Sequence, residues 1–168
     1  MSVTCTFKSQ ADVVETLETN VPAMTSGSSI SHTGYKTEKS LSATGTVSQP
    51  AITKCAIFSK ALSGGSATID CTALTGTNGA TVDFTGLKIC VMKFKNPSAN
   101  ANAITVAKGA SNGLGVTTSG TTFSIPIAPG AEWMHYCNEG MPDVGSGAKT
   151  FDLTGTGSQA LEVTLLAG

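Results

Sequence analysis

The sequence has 168 residues and a formal net charge of −1 at pH 7, with 12% charged and 40% hydrophobic residues. A chain of this length is expected to fold as one domain that buries roughly 70% of the surface its unfolded form exposes. All ten basic residues are lysine. Because arginine makes the bidentate contacts to phosphates and guanine edges, its absence argues against a nucleic-acid partner.

The beginning of the chain carries two local signals. Val3, Cys5 and Phe7 alternate with polar residues and predict a short strand. Ser9, followed by Asp12 and a short apolar run, favours a brief helix that Ser9 caps. The sequence also lacks a charged segment followed by an apolar one, as a secretory signal would have. We therefore expect synthesis in a cytosol.

The next segment is polar and has few large side chains. Residues 24–49 are rich in Ser, Thr and Gly, so they cannot fill a core unaided. We predict that residues 1–48 comprise a strand and an extended arm that packs on the domain or on a neighbouring copy, with a disordered linker as the alternative. Residues 49–168 then form the folded domain.

That domain has the pattern of an all-β fold. Apolar residues recur with a period of two, most clearly at 123–127 and 161–165, which predicts half-buried strands. Residues 87–94 form a nearly continuous apolar run, typical of a central strand covered on both faces. Pro126 cannot donate to a ladder, so its strand lies at an edge or carries a bulge. We predict about eight strands, separated by Gly- and Asn-rich turns, in an antiparallel β-sandwich of the jelly-roll kind.

Cysteines and apolar runs indicate the compartment. The five cysteines are odd in number, widely spaced and without a Cys-x-x-Cys pair. We expect small buried thiols, and the alternative is one disulfide formed after release from the cell, with the pair left open. No apolar run approaches the roughly 20 residues that a spanning helix needs, so we expect no membrane partner.

The sequence contains no recognised catalytic motif, and we expect neither an enzyme nor a cofactor. His135 and Cys137 share a strand face with Trp133, which permits a metal or nucleophile pair, but inward packing with a hydrogen-bonded imidazole is favoured. Asp70 and Asp83 are a weaker candidate for a carboxylate pair across a hairpin. A calcium site is the further alternative for the aspartates, namely Asp70, Asp83, Asp143 and Asp152.

The richest segment for recognition runs from residue 133 to residue 141. It holds the only tryptophan, one of two tyrosines and two methionines, which are residue types favoured at interface centres. Trp133, Tyr136 and Met141 are therefore the candidates for contact with a partner or ligand. The alternative for Trp133 is that it fills the core, with Tyr136 outside.

Residues 60–168 resemble small β-sandwich proteins encoded among the virion structural genes of tailed bacteriophages. The likeness lies in strand and turn positions and not in a catalytic signature. It is carried by residues 69–75 (IDCTALT), 79–84 (GATVDF), 87–88 (LK), 94–96 (FKN), 102–106 (NAITV), 127–130 (IAPG) and 161–168 (LEVTLLAG). The resemblance implies a capsid-associated decoration, cement or spike protein without an enzymatic site.

The expected function follows from this resemblance and from the composition. We expect a virion protein, assembled in the host bacterial cytoplasm, that forms a homotrimer or other closed oligomer and binds the major capsid protein or another virion protein. Short loops favour decoration over a tail-tube role, and a chain without arginine fits the outer capsid surface better than the side facing DNA. The alternative is a carbohydrate- or receptor-binding module in which Trp133 or Tyr136 stacks on a sugar.

Overall fold

The computed structural model describes residues 3–17, 28–45, 51–117, 121–139 and 141–168. These residues contain twelve β-strands and no helix, so the fold is all-β. The chain divides into two compact units. One is Cys5–Ser40, and the other comprises Met1–Thr4 and Leu41–Gly168. Among the described elements, none is a helix long and apolar enough to cross a membrane.

In chain order the strands are β1 (Thr4–Leu17), β2 (Ser28–Ser42), β3 (Lys54–Ala61), β4 (Ser66–Asp70), β5 (Leu74–Thr75), β6 (Thr81–Val82), β7 (Ile89–Lys95), β8 (Ile104–Lys108), β9 (Ser124–Ile127), β10 (Glu132–Tyr136), β11 (Thr150–Thr154) and β12 (Ala160–Ala167). The longest connections between strands of the larger unit follow β8 and β10.

The smaller unit is a two-stranded ribbon made of β1 and β2. Lys8 Nζ lies 3.1 Å from Glu38 Oε1 and links the two strands. The predicted helix at Ser9 is wrong, because Ser9 lies inside β1. The β-branched residues that follow it favour a strand, and pairing with β2 outweighs the local capping signal. Expectations for residues 18–27 and 46–50 lie outside the described residues.

The larger unit contains two four-stranded sheets. Their strand orders are β10-β7-β12-β3 and β4-β11-β8-β9, and neighbouring strands in both are antiparallel. A short hairpin of β5 and β6 lies between β4 and β7 in the chain. The sequence predicted about eight strands. The described residues have twelve, of which eight form the two large sheets and four form the β1–β2 ribbon and the β5–β6 hairpin.

Two predictions about strand position are confirmed. β7 lies between β10 and β12 within its sheet, and five of its seven residues are buried, as the apolar run at 87–94 predicted. β9, which contains Pro126, pairs only with β8 and ends the described part of its sheet. Proline there does not interrupt a ladder on both sides.

Both sheets contribute to one buried apolar cluster, which we call the main core. Phe94 of β7 meets Phe151 of β11 with ring centroids 6.0 Å apart, so the two sheets are in contact through aromatic rings. Both side chains are fully buried. Alternate residues of each strand therefore point into the main core, and those between them point away from it.

Amide side chains hydrogen-bond to the backbone of the loops at one end of the larger unit. Asn96 is fully buried, and its Nδ2 donates to the carbonyls of Asn102 (3.1 Å) and Ile127 (2.8 Å). Gln159 Nε2 donates to the same Asn102 carbonyl at 2.6 Å. At this end Gly65 has a φ of +83°, and a Cβ there would lie 2.8 Å from the Gly155 carbonyl oxygen. Glycine is therefore required where these two turns meet.

Candidate interaction surface

The β10-β7-β12-β3 sheet has a second face that points away from the main core, and we call it the outer face. Cross-strand partners share a face. Since Met92, Leu165 and Phe94 belong to the main core, their neighbours along each strand lie on the outer face. Its rows, read across the four strands from β3 to β10, are Ser59, Glu162, Lys95 and Glu132, then Ile57, Thr164, Lys93 and Met134, then Cys55, Leu166, Val91 and Tyr136.

The lowest of these rows is covered. Val91 and Leu166 are only 4% and 6% exposed although they point away from the main core. Segment 51–53 runs beside them, because Thr53 N donates to the Ala167 carbonyl at 2.9 Å. Four further apolar residues are buried outside the main core, namely Val3, Leu41, Ile52 and Cys90. The outer face is therefore closed to solvent at Val91 and Leu166.

The middle row is open to solvent. Ile57 is 52% exposed and Met134 is 37% exposed, and these two are the large hydrophobic residues exposed in the described part of the larger unit. Lys93 lies between them and pairs with Glu132, whose Oε2 is 2.8 Å from its Nζ. Thr164 and Lys93 separate the two apolar side chains, so the row has one exposed apolar residue at each end and polar residues between them.

Trp133 lies on the opposite face of β10 from Met134. Its indole is nearly parallel to three neighbouring rings, those of Phe94, Phe123 and His135, at centroid distances of 6.1, 6.5 and 5.5 Å. The side chain is half-buried and packs against the main core. Trp133 therefore points inward, as in the alternative in which it fills the core and does not contact a partner.

His135 follows Trp133 within β10, and Cys137 comes directly after the strand. His135 Nε2 lies 3.1 Å from the Val116 carbonyl oxygen, so this nitrogen carries a proton and donates it. The imidazole also stacks on Trp133. The Cys137 backbone N–H donates to the Cys90 carbonyl at 2.9 Å. His135 is thus hydrogen-bonded and stacked on Trp133, which is the inward arrangement that the sequence favours.

Tyr136 and Met141, the other two candidates, lie in different environments. Tyr136 is half-buried on the outer face, and its hydroxyl donates to Asn138 Oδ1 at 2.8 Å. Burial, followed by the nearby thiols of Cys90 and Cys137, raises the pKa of Tyr136. Met141 is fully buried in the main core, so its side chain has no surface to offer a partner. The structure does not bring Trp133, Tyr136 and Met141 together as one site.

Asp70 and Asp83, the candidates for a carboxylate pair, each accept hydrogen bonds within their own turn. Asp70 Oδ1 accepts from Thr72 N at 2.9 Å and from Thr72 Oγ1 at 2.6 Å, and its Oδ2 lies 2.7 Å from Lys149 Nζ. Burial alone would raise the pKa of Asp70, but the hydrogen bonds from Lys149 and Thr72 outweigh it and the pKa is lowered. Asp83 Oδ1 accepts the same two bonds from Thr85, which lower its pKa.

A cleft of about 510 Å³ opens between β3 and β6. Lys54 stands on one wall and Asp83 on the other, and Lys54 Nζ donates to the Asp83 backbone carbonyl at 2.5 Å. The hydroxyls of Thr53 and Thr81 and the half-buried thiol of Cys55 complete its polar lining. Within the described residues no three His, Cys, Asp or Glu side chains are grouped closely enough to hold a metal ion.

Sequence reasoning missed the two exposed apolar residues of the outer face. The signal for Met134 was present, because it alternates with Trp133 and His135 and therefore points to the other side of β10. Ile57 had no such signal, since its neighbours Ala56 and Phe58 are also apolar. No family model matches the chain, and no curated protein or solved structure was found to match it.

Proposed function

We propose that this protein is a non-enzymatic structural protein of a bacteriophage virion, which binds the outer surface of the capsid as a closed oligomer and has a jelly-roll β-sandwich as its folded domain. The nested pairing of the eight strands in the two large sheets carries this proposal. The first of them pairs with the last, the second with the seventh, the third with the sixth and the fourth with the fifth. The pairs are β3–β12, β4–β11, β7–β10 and β8–β9.

This nesting is what a long antiparallel hairpin produces when it rolls up into two sheets. Jelly rolls of eight strands are frequent in viral capsid and lectin domains. Fold analogy alone does not define a function. The proposal therefore also rests on two surfaces that a virion protein needs, one for its own copies and one for the particle.

The β1–β2 ribbon supplies the first surface. Its strands have 14 and 15 residues, which at about 3.3 Å per residue gives a length of roughly 45 Å. An isolated two-stranded ribbon is marginally stable in water. Residues 8–13 are all exposed, and Val13 is 52% exposed. A second copy of the chain would give this ribbon the burial that it lacks, which supports a closed oligomer.

The outer face supplies the second surface. Ile57 and Met134 provide apolar contact area, and the alternating charges of Lys93, Lys95, Glu132 and Glu162 provide a polar rim. Rim charges set specificity and orientation more than affinity. We assign this face to the major capsid protein or another virion protein.

Particle composition tests the proposal. An antibody raised against the purified protein would be applied, with gold labels, to virus particles purified on a density gradient from a culture that produces the protein. We expect label over intact capsids, and a copy number by quantitative mass spectrometry that is a simple ratio to the major capsid protein. Absence of the protein from purified particles would overturn the proposal, and label only after particle disruption would overturn its outer location.

A carbohydrate- or receptor-binding module is the second candidate. The geometry favours it less, because Trp133 stacks on three protein rings and Tyr136 bonds to Asn138. Binding of the protein to an immobilised glycan array separates the two functions. Saturable binding that is lost in Tyr136→Ala and retained in Met134→Ala would favour this candidate over decoration.

A further inference from the structure

Cys90 and Cys137 lie opposite each other where β7 and β10 meet their end loops. The ladder between these strands ends at the pair Tyr136 and Val91, and Cys137 and Cys90 stand at the following rung position. The Cys137 N–H donates to the Cys90 carbonyl at 2.9 Å, so the rung is hydrogen-bonded. The Cα atoms of such a pair are about 5.5 Å apart, which lies within the span that a disulfide bridges.

The backbone of β7 is irregular at Cys90. Val91 pairs with Leu166 of β12 and Ile89 pairs with Ala167, so Cys90 has no rung of its own on that side. Bulged residues of this kind re-aim a side chain and bend the strand. The Cys90 thiol is 3.4 Å from the Lys88 carbonyl oxygen, and the residue is 1% exposed. Cys137 is half-buried, so a small oxidant can reach its side of the pair.

Two other cysteines of the larger unit, Cys55 and Cys71, are placed differently. Cys55 pairs with Leu166, and Leu166 pairs with Val91, so two strand spacings of about 4.8 Å separate Cys55 from β7. That separation exceeds the reach of a disulfide. Cys71 is fully buried in the main core, and burial raises the pKa of its thiol to about 12.

We propose that Cys90 and Cys137 are a redox site, at which a low-molecular-weight disulfide such as oxidised glutathione converts the two thiols into a reversible cross-strand disulfide. The sequence left the pairing of the cysteines open, and the register of β7 and β10 selects one pair. The bond would tie β10, the last strand of its sheet, to the buried strand β7. It would form when the protein leaves a reducing cytosol for an oxidising medium. This inference is independent of the proposed function.

The reaction proceeds by two thiol–disulfide exchanges. The Cys137 thiolate attacks one sulfur of oxidised glutathione, which forms a mixed disulfide and expels one glutathione thiolate. The Cys90 thiolate then attacks the Cys137 sulfur and expels the second. The two protein thiols lose two electrons and two protons, and both are recovered in two molecules of reduced glutathione.

The second exchange, in which the Cys90 thiolate attacks, sets the pH dependence of disulfide formation. Burial is the main cause that raises the pKa of Cys90 to about 11, and the neighbouring Cys137 adds to it, while the Gly168 N–H and Lys88 act in the opposite direction. Tyr136 faces the same pair. The thiolate fraction of Cys90 therefore rises roughly tenfold per pH unit below its pKa, and so does the rate of ring closure once the mixed disulfide has formed.

Peptide mapping identifies the bond directly. The reduced full-length protein would be incubated with oxidised glutathione, quenched with iodoacetamide and digested with trypsin without reductant. Lysines at 88, 93, 108 and 149 place Cys90 and Cys137 in separate peptides, 89–93 and 109–149, each with one cysteine. We expect these peptides joined, with the loss of two hydrogens, and separated again by dithiothreitol.

Variants supply the controls. Cys137→Ser abolishes the joined peptide, whereas Cys55→Ser, at a half-buried cysteine away from the pair, leaves it unchanged. Oxidation raises the melting temperature of the wild type by roughly 5 to 15 °C and leaves that of Cys137→Ser unchanged. Glutathione retained on Cys137 without ring closure, a bond between other cysteines, or no reaction at pH 9 would overturn the proposal. The peptide map of the oxidised wild-type protein tests the proposal even if a variant fails to fold.

Discussion

The ring of Phe94 meets the ring of Phe151 edge to face, with centroids 6.0 Å apart and ring planes at 76°. Phe94 belongs to β7 and Phe151 to β11, so this contact joins the two four-stranded sheets. Phe123 makes a second edge contact with Phe151 at 6.0 Å. Edge-to-face pairs add stability beyond the area they bury. Phe151 is therefore the centre at which both sheets of the larger unit meet.

Truncation of Phe151 should destabilise the fold strongly. Phe151→Ala removes a fully buried ring with two aromatic contacts, and we expect the free energy of unfolding to fall by about 3–5 kcal/mol. Urea titration followed by circular dichroism measures this change. The matched control is Ile57→Ala, at a 52% exposed position, which should change the same quantity by less than about 0.5 kcal/mol. Equal effects at both positions would contradict the assigned core.

Replacing the buried Asn96 by a charged residue should destabilise the fold. Asn96→Asp removes the donors to Asn102 and Ile127 and places a carboxyl at a fully buried position. We expect a loss of about 2–4 kcal/mol at pH 7. Burial raises the pKa of such a carboxyl, so the loss should grow as pH rises from 4 to 7. Urea titrations at both pH values measure it. The control Asn78→Asp keeps the acceptor for Ala80 N, and a pH-independent loss in Asn96→Asp would disprove this account.

The Asp70–Lys149 pair should stabilise the protein only when Asp70 is ionised. The folded-state pKa of Asp70 lies below its ordinary value near 3.8, so the contribution is present above that value and is lost as pH falls through the lowered pKa. The pair is partly exposed, and solvent screening limits its strength. We expect Asp70→Asn to cost about 1 kcal/mol at pH 7 and less near pH 2.

Chemical denaturation across this pH range tests the Asp70 prediction. A double-mutant cycle with Lys149→Met isolates the ion pair from the bonds to Thr72. Asp143→Asn, at an exposed loop carboxylate, serves as the control variant. If Asp70→Asn and the wild type differ equally at pH 7 and at pH 2, the pair is not the source of the stabilisation.

Trp133 is the only tryptophan, so its fluorescence reports on β10 alone. Because its ring stacks on Phe94, Phe123 and His135, we expect blue-shifted emission and acrylamide quenching well below that of N-acetyltryptophanamide. Mono- and oligosaccharides should leave the spectrum unchanged. A solvent-like emission maximum with a saturable sugar response would place the indole in a binding site and favour the second candidate function.

The ribbon should control the oligomeric state. Replacing Cys5–Ser40 by a short Gly/Ser linker retains Val3 and Leu41, which are buried in the larger unit. We expect light scattering at micromolar concentration to change from an oligomer to a folded monomer. Val13→Lys should raise the dissociation constant roughly tenfold, whereas Gln10→Lys, on the other side of β1, should not. An unchanged mass after ribbon replacement would contradict this role.

Local pattern determined much of the architecture from sequence alone. The period-two alternation after residue 49 predicted strands, and the run at 87–94 predicted the buried β7. Pro126 predicted an edge position or a bulge, and β9 has the edge position. These features depend on how one strand presents its own side chains and backbone donors, which neighbouring residues specify. The helix expected at Ser9 failed because a capping signal is also local, and pairing with β2 overrides it.

Only the tertiary structure decided which distant segments meet. Strand pairing depends on contacts between residues far apart in the chain, and alternation does not specify the partner. The pairing of β10 with β7 brings Cys137 beside Cys90 and stacks Trp133 on Phe94, while the loop after β10 buries Met141. Together with the pairing of β12 with β3 and β7, the pairing of β10 with β7 leaves Ile57 and Met134 exposed on one outer face. Local sequence patterns therefore determined strands of the two large sheets, and long-range pairing decided which side chains form the core, the Cys90–Cys137 pair and the open surface.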